Sequence, residues 1–74
     1  MITEIDLREE LAGGGEPLDR ILEAAAAIVP GDSLSLLVPF EPVPLYGVLE
    51  REGFTYSSEH LPSGDWRVLF TREG

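Results

Sequence analysis

The chain has 74 residues, among which there is no cysteine and no lysine. Without cysteine it can form no disulfide, thiolate metal site or thiol nucleophile, so redox relays and cysteine-based catalysis are excluded. Without lysine it cannot complete the Gly-Lys-Ser/Thr ending of a phosphate-binding P-loop. A long hydrophobic run is also missing: the longest uninterrupted one, 24–29, is far shorter than the roughly 20 residues that span a bilayer.

Positive charge is scarce as well. Five arginines face fourteen acidic residues, which gives a formal net charge of -9. Such a field repels phosphate backbones and anionic headgroups, so we expect neither nucleic acid nor a membrane surface as a partner. The start of the chain also lacks the basic-then-apolar pattern of a signal peptide, and we expect a soluble, cytoplasmic protein.

The length predicts one domain, residues 1–74. A chain this short buries roughly 60% of the surface that it exposes when unfolded, so its core is a single thin layer. Too little chain remains for a deep cavity and the shells that support a catalytic site. We therefore expect a shallow groove or an interaction surface rather than an enzyme, with no cofactor.

Hydrophobic periodicity predicts the order βαβαββ. Alternating residues predict strands at 2–7, 33–38, 54–61 and 66–72; helical spacing predicts helices from Pro17 to the stop at Pro30-Gly31 and from Val43 to Glu52; and 8–16 is predicted to be a connector. Right-handed crossovers favour strand 2 parallel to its neighbours and both helices on one face. The predicted fold is an α/β (α+β) two-layer sandwich with a mixed four-stranded sheet under two helices.

The pleat of the sheet assigns side chains to its two faces. Alternation places Trp66, Val68, Phe70, Phe54 and Tyr56 toward the helices, and the first helix is predicted to face them with Leu18, Ile21, Leu22, Ala25, Ile28 and Val29. Leu37, Leu61 and Leu69 then lie on the outer face of the sheet. A mixed apolar face left bare by a two-layer fold is an alternative partner or self-association surface.

Two loops provide the best candidate site. A glycine run opens into a proline-started helix, and three prolines within 39–44 stiffen the next strand-to-helix corner. Because both loops follow the carboxyl ends of neighbouring strands, we expect them to form one groove for a ligand or partner. Its predicted residues are Gly14, Gly15, Glu16, Pro17, Phe40, Glu41 and Pro42.

A second hypothesis uses the carboxylates of this region. Glu16, Glu41 and His60 would serve a small metal binder or enzyme if the loops brought them together. The simpler interpretation is that the glutamates complement the helix dipoles and His60 ends a strand, so no metal site is expected. A phosphate cradle at the glycine run is disfavoured by the adjacent negative charge of Glu16 and Asp19.

Four short segments stand out along the chain: Ile5-Asp6-Leu7-Arg8, Glu16-Pro17, Pro30-Gly31-Asp32-Ser33-Leu34 and Leu49-Glu50-Arg51-Glu52-Gly53-Phe54. Together they resemble the TusA/SirA-like family of small sulfur-carrier proteins over nearly the whole chain. The family's defining motif is Cys-Pro-x-Pro at the start of the first helix, where this chain has Gly14-Gly15-Glu16-Pro17. Glycine stands in the position of the cysteine, so the thiolate needed for persulfide transfer is absent.

A cysteine-free branch of that superfamily, a domain of unknown function, is more similar. Its members look like the stretches 16–22 and 40–45 and end on Trp66-Arg67-Val68. Such domains occur alone or joined to hemerythrin-like or cupin domains. The resemblance implies the fold and a protein partner, including hemerythrin-like or cupin proteins or a second copy of the chain. It leaves open an alternative role as an accessory of sulfur or redox metabolism that docks on the partners of the sulfur carriers.

Overall fold

The computed structural model describes residues 1–15 and 17–73, which form a four-stranded sheet and three helices. The elements are β1 (Ile2–Asp6), α1 (Arg8–Ala12), α2 (Leu18–Ala26), β2 (Ser33–Val38), α3 (Val43–Arg51), β3 (Phe54–His60) and β4 (Trp66–Arg72). The sheet order is β1-β2-β4-β3, with β1 and β2 parallel and the other neighbours antiparallel. The mixed four-stranded sheet of the predicted α+β sandwich is confirmed.

The central strand β2 has one parallel and one antiparallel neighbour. The expectation that it lies parallel to both neighbours is therefore wrong for β4. The crossover through α3 places β3 one strand away from β2, and the final hairpin returns β4 into the gap between them. Both strands of the hairpin, β3 and β4, are therefore part of one continuous sheet.

The core lies between the helices and one face of the sheet. Its fully buried members on the two central strands are Leu34, Leu36, Val38, Val68 and Phe70, as the alternation predicts. The remaining core side chains are Leu7, Ile21, Ala25, Ile28, Tyr46, Leu49 and Phe54.

Tyr56 lies on the predicted side of the sheet but is 42% exposed, because β3 is an edge strand. Its ring stacks on that of Tyr46 from α3, with centroids 4.0 Å apart and planes 3° from parallel. The edge position thus leaves an aromatic side chain partly open to solvent.

The segment predicted to be a connector contains a short helix, α1. The Leu11 amide donates to the Leu7 carbonyl at 3.0 Å, which opens the helix directly after β1. The glycine run ends it: the Gly13 and Gly15 amides donate to the Glu9 and Glu10 carbonyls at 3.1 and 2.8 Å. The glycines therefore have a helix-terminating role, which the alternating pattern of β1 did not reveal.

Helix α2 ends at Ala26, earlier than its hydrophobic period predicts. Pro30 has no amide hydrogen for the carbonyl four residues before it, and the residue preceding a proline avoids the helical region. Ala27 closes the helix instead, donating to the Ala24 carbonyl at 3.2 Å. Val29, predicted to face the core, is 58% exposed as a result.

Arg72 joins the ends of two helices to the last strand. Its Nε donates to the Ile28 carbonyl at 2.6 Å and its Nη2 to the Ala25 carbonyl at 2.9 Å, both near the end of α2. Its Nη1 donates to the Glu52 carbonyl at 3.2 Å, just past α3, and its guanidinium lies 4.6 Å from the centre of the Phe54 ring. One side chain thus holds both helix ends against the sheet.

The outer face of the sheet is not the bare apolar surface that the pleat suggested. Leu37 is only 8% exposed. Arg67, its neighbour on β4, reaches across β2 to Glu4 on β1, with 3.7 Å between its Nε and the carboxylate. Leu61 and Leu69 are half-buried, and the Ser33 and Thr71 hydroxyls hydrogen-bond at 2.8 Å. A long polar side chain therefore covers the centre of this face.

Candidate functional site

An apolar groove of about 430 Å³ opens where β2 ends, between the three helices. It is lined by Leu11, Gly15, Pro17, Leu18, Ile21, Val38, Phe40, Pro42, Pro44 and Leu45. None of these ten described residues has a charged or hydrogen-bonding side chain. The described part of the lining therefore offers apolar surface and backbone groups.

The core supplies the floor of the groove. Val38, the last residue of β2, is fully buried, and Ile21 on α2 is 3% exposed. Leu11 of α1 and Leu45 of α3 are half-buried and pack against the same core from the two sides. The shape of the groove thus depends on the ends of four different elements.

The wall that follows β2 is held rigid. Pro42 is buried and caps α3, whose second residue is again a proline. The Val43 and Leu45 amides donate to the Glu41 and Pro42 carbonyls, each at 2.9 Å. Since proline fixes the backbone φ angle, this wall is ordered before any ligand binds.

The rim carries apolar side chains that face solvent. Phe40 is 50% exposed and Leu18 is 42% exposed. Leu18 opens α2, so the residue predicted to lie on the buried face of that helix lies instead at the mouth of the groove. An exposed aromatic beside an apolar cleft is typical of an interaction surface.

The structure brings four of the predicted site residues together. Gly15, Pro17, Phe40 and Pro42 all line the groove, while Gly14 and Glu41 are next to lining residues in sequence but do not line it themselves. Gly14 has a φ of 82°, in the left-handed region. Glu16 lies outside the described residues. A binding role for this set stays a prediction.

Sequence reasoning missed part of the lining. Leu11 lies in the predicted connector, and Leu45 lies in the helix predicted from Val43 to Glu52, with no predicted part in the groove. Pro44 was treated only as a stiffening residue. A usable signal was present: Leu7 and Leu11 are four residues apart, which is the spacing of one helical face.

Glu41 has a structural partner. Its carboxylate accepts a hydrogen bond from the Tyr46 hydroxyl at 3.2 Å. Burial raises the pKa of Tyr46 above its ordinary value of 10.0, and the nearby Glu41 carboxylate raises that pKa further. The tyrosine therefore stays neutral and serves as a hydrogen-bond donor to the corner.

A second, polar cavity of about 530 Å³ lies beside α1, lined by Asp6, Arg8, Glu9, Ala12 and Asp65. Arg8 donates to both oxygens of Asp6, at 3.1 and 2.9 Å, and to Asp65 at 3.1 Å. The hydrogen bonds from Arg8 hold the pKa of Asp6 at about 2. Asp6 and Asp65 both accept from the Arg8 guanidinium, so these three residues tie the end of β1 to the start of β4.

His60 is exposed and stacks on Trp66, with ring centroids 4.4 Å apart. Because Trp66 pairs with Val38, His60 lies at the same end of the sheet as the proline corner, two strands from β2. Within residues 1–15 and 17–73, no three His, Cys, Asp or Glu residues form a group that could hold a metal ion. The hypothesis that uses Glu16, Glu41 and His60 includes a residue outside these ranges and stays a prediction.

The chain matches the model of a protein family. The model of a family described as an uncharacterized conserved protein (DUF2249) matches residues 4–72. No curated protein and no solved structure matches the chain. Among the described residues, no helix combines the length and the apolar character that crossing a membrane requires.

Proposed function

Since the chain belongs to the DUF2249 family of uncharacterized conserved proteins, whose description names no activity, we propose a function from the geometry of the groove. The proposed function is that of a non-catalytic interaction module. In this proposal the apolar groove at the end of β2 binds an apolar segment of a partner protein. The observation that carries the proposal is the continuous apolar surface that the described lining residues form, with Phe40 and Leu18 exposed at its mouth.

The open rim favours a protein segment over an enclosed small molecule. Pockets for small ligands have similar volumes, but they surround most of the ligand surface. Here half of Phe40 and two fifths of Leu18 face solvent, which suits a side chain arriving from a second protein surface. An amphipathic helix that places two or three apolar residues in such a groove is a common recognition mode.

Charge around the groove suggests the rest of the partner. Asp19 follows Leu18 and Glu41 follows Phe40, and both acidic residues are exposed. The whole chain carries a net charge of -9, so a segment with arginine or lysine beside its apolar residues would be attracted and correctly oriented. We therefore infer an apolar, basic-flanked segment as the partner.

A displayed library of random helical peptides tests the proposal, with the purified chain as the target. Enriched peptides are expected to carry Leu, Phe or Met at helical spacing next to basic residues. In titrations of the isotope-labelled chain, such a peptide is expected to shift the amide signals of Gly15, Ile21, Val38 and Leu45. The substitution Phe40→Ala is expected to weaken binding roughly tenfold or more, as for other exposed aromatic anchors.

The matched control is Val29→Ala. Val29 is exposed to a similar degree as Phe40 but does not line the groove, so its truncation is expected to leave peptide affinity unchanged. Equal losses in the two variants, or amide shifts confined to the outer face of the sheet, would contradict the proposal. Enrichment of small apolar molecules but no peptides in a parallel screen would identify the groove as a ligand site instead.

The more specific relationship to the TusA/SirA-like sulfur carriers is also part of this proposal. It is supported by the element order and by the place of Gly14 before the first long helix, where those carriers have their cysteine. A docking role on sulfur-carrier partners would use the same groove. Direct binding of a purified partner of that class, lost in Phe40→Ala, is the result that would support it.

A further inference from the structure

The sheet ends in two edge strands, β1 and β3, and β3 has the longer free edge. Six of its seven residues are exposed. Natural sheets protect such an edge with proline, lysine or a bulge. The segment Phe54–His60 contains neither residue, its single acidic side chain is Glu59 near one end, and its register with β4 is unbroken. The edge is therefore open to pairing with another strand.

Two hydrogen bonds at the ends of the hairpin identify the outward-facing backbone groups. The Leu61 amide donates to the Asp65 carbonyl at 2.8 Å, and the Glu73 amide donates to the Gly53 carbonyl at 2.9 Å. In antiparallel pairs the hydrogen-bonded positions alternate, so the odd-numbered residues of β3 bond to β4. The N–H and C=O groups of Phe54, Tyr56, Ser58 and His60 therefore face outward.

From this pattern we propose that two copies of the chain pair through β3, antiparallel, about a twofold axis at Ser57. This register places Tyr56 opposite Ser58 of the second copy and Phe54 opposite its His60. All outward N–H and C=O groups of both strands are then paired, and the exposed part of Tyr56 becomes covered. The interface is separate from the groove and goes beyond the function proposed for it.

In the proposed register no two like charges of β3 lie directly opposite one another. In the proposed register Glu59 faces the uncharged Thr55 of the other copy, and Ser57 faces itself. The same symmetric pairing of β1, centred on Ile2–Asp6, would place Glu4 opposite Glu4. Like charges directly opposite one another destabilise a strand pair, so β3 fits self-association and β1 does not.

The net charge of -9 on each copy opposes association at long range. Salt screens this repulsion, with a Debye length of about 8 Å at physiological ionic strength. Backbone hydrogen bonds and the covered tyrosine do not weaken in the same way. The dimer is therefore expected to become tighter as the salt concentration rises, which distinguishes it from association through ion pairs.

A disulfide test locates the axis, because the chain has no cysteine of its own. In Ser57→Cys the two thiols lie directly opposite in a non-hydrogen-bonded pair, about 4.5 Å apart between Cα atoms, which permits a disulfide. Oxidised glutathione accepts the two electrons and two protons of the thiols and is reduced to two molecules of glutathione. In the control Thr55→Cys, the thiols are four residues out of register, about 14 Å apart, and are expected to cross-link at least about tenfold more slowly.

Charge substitutions test the register independently by sedimentation velocity. In Thr55→Glu, the new glutamate of each copy lies opposite Glu59 of the other copy, which makes two pairs of like charges. The dimer is therefore expected to be roughly tenfold weaker. Thr55→Lys sets opposite charges there, and a tighter dimer is expected. Ala27→Lys is the control for net charge: Ala27 is exposed at the end of α2, and this variant is expected to lack most of that gain.

Either of two results would overturn the proposal. One is a chain that remains monomeric at about 0.5 mM protein in about 0.5 M NaCl. The other is cross-linking of Ser57→Cys no faster than that of Thr55→Cys while circular dichroism shows both variants folded. Failure of the β3 dimer would leave the proposed peptide binding intact, since none of the lining residues named for the groove belongs to β3.

Discussion

Arg72 illustrates how a single residue stabilises this fold in a way that its sequence position does not announce. It is the last residue of an alternating strand, where a charged side chain is unremarkable. The folded chain places the carbonyls of Ala25, Ile28 and Glu52 around its guanidinium. These groups lie near or just past helix ends, where carbonyls carry partial negative charge; the Ala25 carbonyl also accepts from the Ile28 amide at 3.1 Å.

Replacing this residue is expected to be costly. Arg72→Ala should lower the free energy of unfolding by about 2–4 kcal/mol, because several carbonyls lose charged donors and the Phe54 ring loses its cation. Urea denaturation of the purified variant measures the loss. Arg51→Ala, at an exposed site in the last turn of α3, is the control and should change stability by less than about 0.5 kcal/mol. Equal effects of the two substitutions would contradict this role.

At the scale of the elements, the helices depend on glycines in two different ways. Gly14 follows α1 with a φ of 82°, a conformation that side chains with a Cβ rarely adopt. Gly47 lies in the middle of α3, is exposed, and would have open space around an added Cβ. Gly14 therefore meets a geometric requirement, whereas Gly47 only weakens its helix.

Alanine at these two positions is expected to change stability in opposite directions. Gly47→Ala should raise the free energy of unfolding by about 0.5–1 kcal/mol, because it restricts the unfolded chain and favours the helix. Gly14→Ala should lower it by roughly 1–2 kcal/mol, since the left-handed conformation is strained. Both positions offer open space, so chemical denaturation of the pair isolates the backbone effect. A gain in both variants would show that the Gly14 loop can change its conformation freely.

For the whole molecule, the repulsion among its many acidic residues opposes the attraction within a few exposed ion pairs. Within the described part of the chain, the side-chain pairs are Arg8 with Asp6 and Asp65, Arg20 with Glu10, and Arg67 with Glu4. Exposed pairs contribute about 0–1 kcal/mol each. The net charge of -9 in a particle with a radius of gyration of 11.6 Å places many like charges within one or two Debye lengths.

We therefore expect salt to stabilise the folded chain. Raising NaCl from low to physiological concentration should raise the unfolding midpoint, by about 4–8 °C for each kcal/mol of repulsion that is screened. Thermal scans at micromolar protein, repeated after dilution, separate this effect from dimerisation. A variant with Asp19→Asn, Glu23→Gln and Glu50→Gln, whose net charge is -9 + 3 = -6, should respond less. A midpoint that falls with salt would mean that the ion pairs outweigh the repulsion.

The fold was largely predictable because the hydrophobic periodicity and the positions of glycine and proline indicate the same elements along most of the chain. β4 was predicted with its observed bounds, and the helix predicted to end at Glu52 ends at Arg51, two residues before Gly53 with its positive φ. The short helix α1 was not predicted, since five residues give too brief a period to recognise. A groove opens between the two loops that the sequence singles out, but Leu11 and Leu45, which also line it, fall within the predicted connector and the predicted second helix.

Local spacing and composition were enough to predict the strands, the two long helices, the acidic character of the chain and the absence of thiol chemistry. The tertiary structure was needed to show that β4 separates β2 from β3, that Arg67 covers the outer face and that Arg72 joins two helix ends. It also decided that the glycine run closes a helix beside an apolar groove. Those features arise from contacts between residues distant in sequence, whose geometry no local pattern encodes.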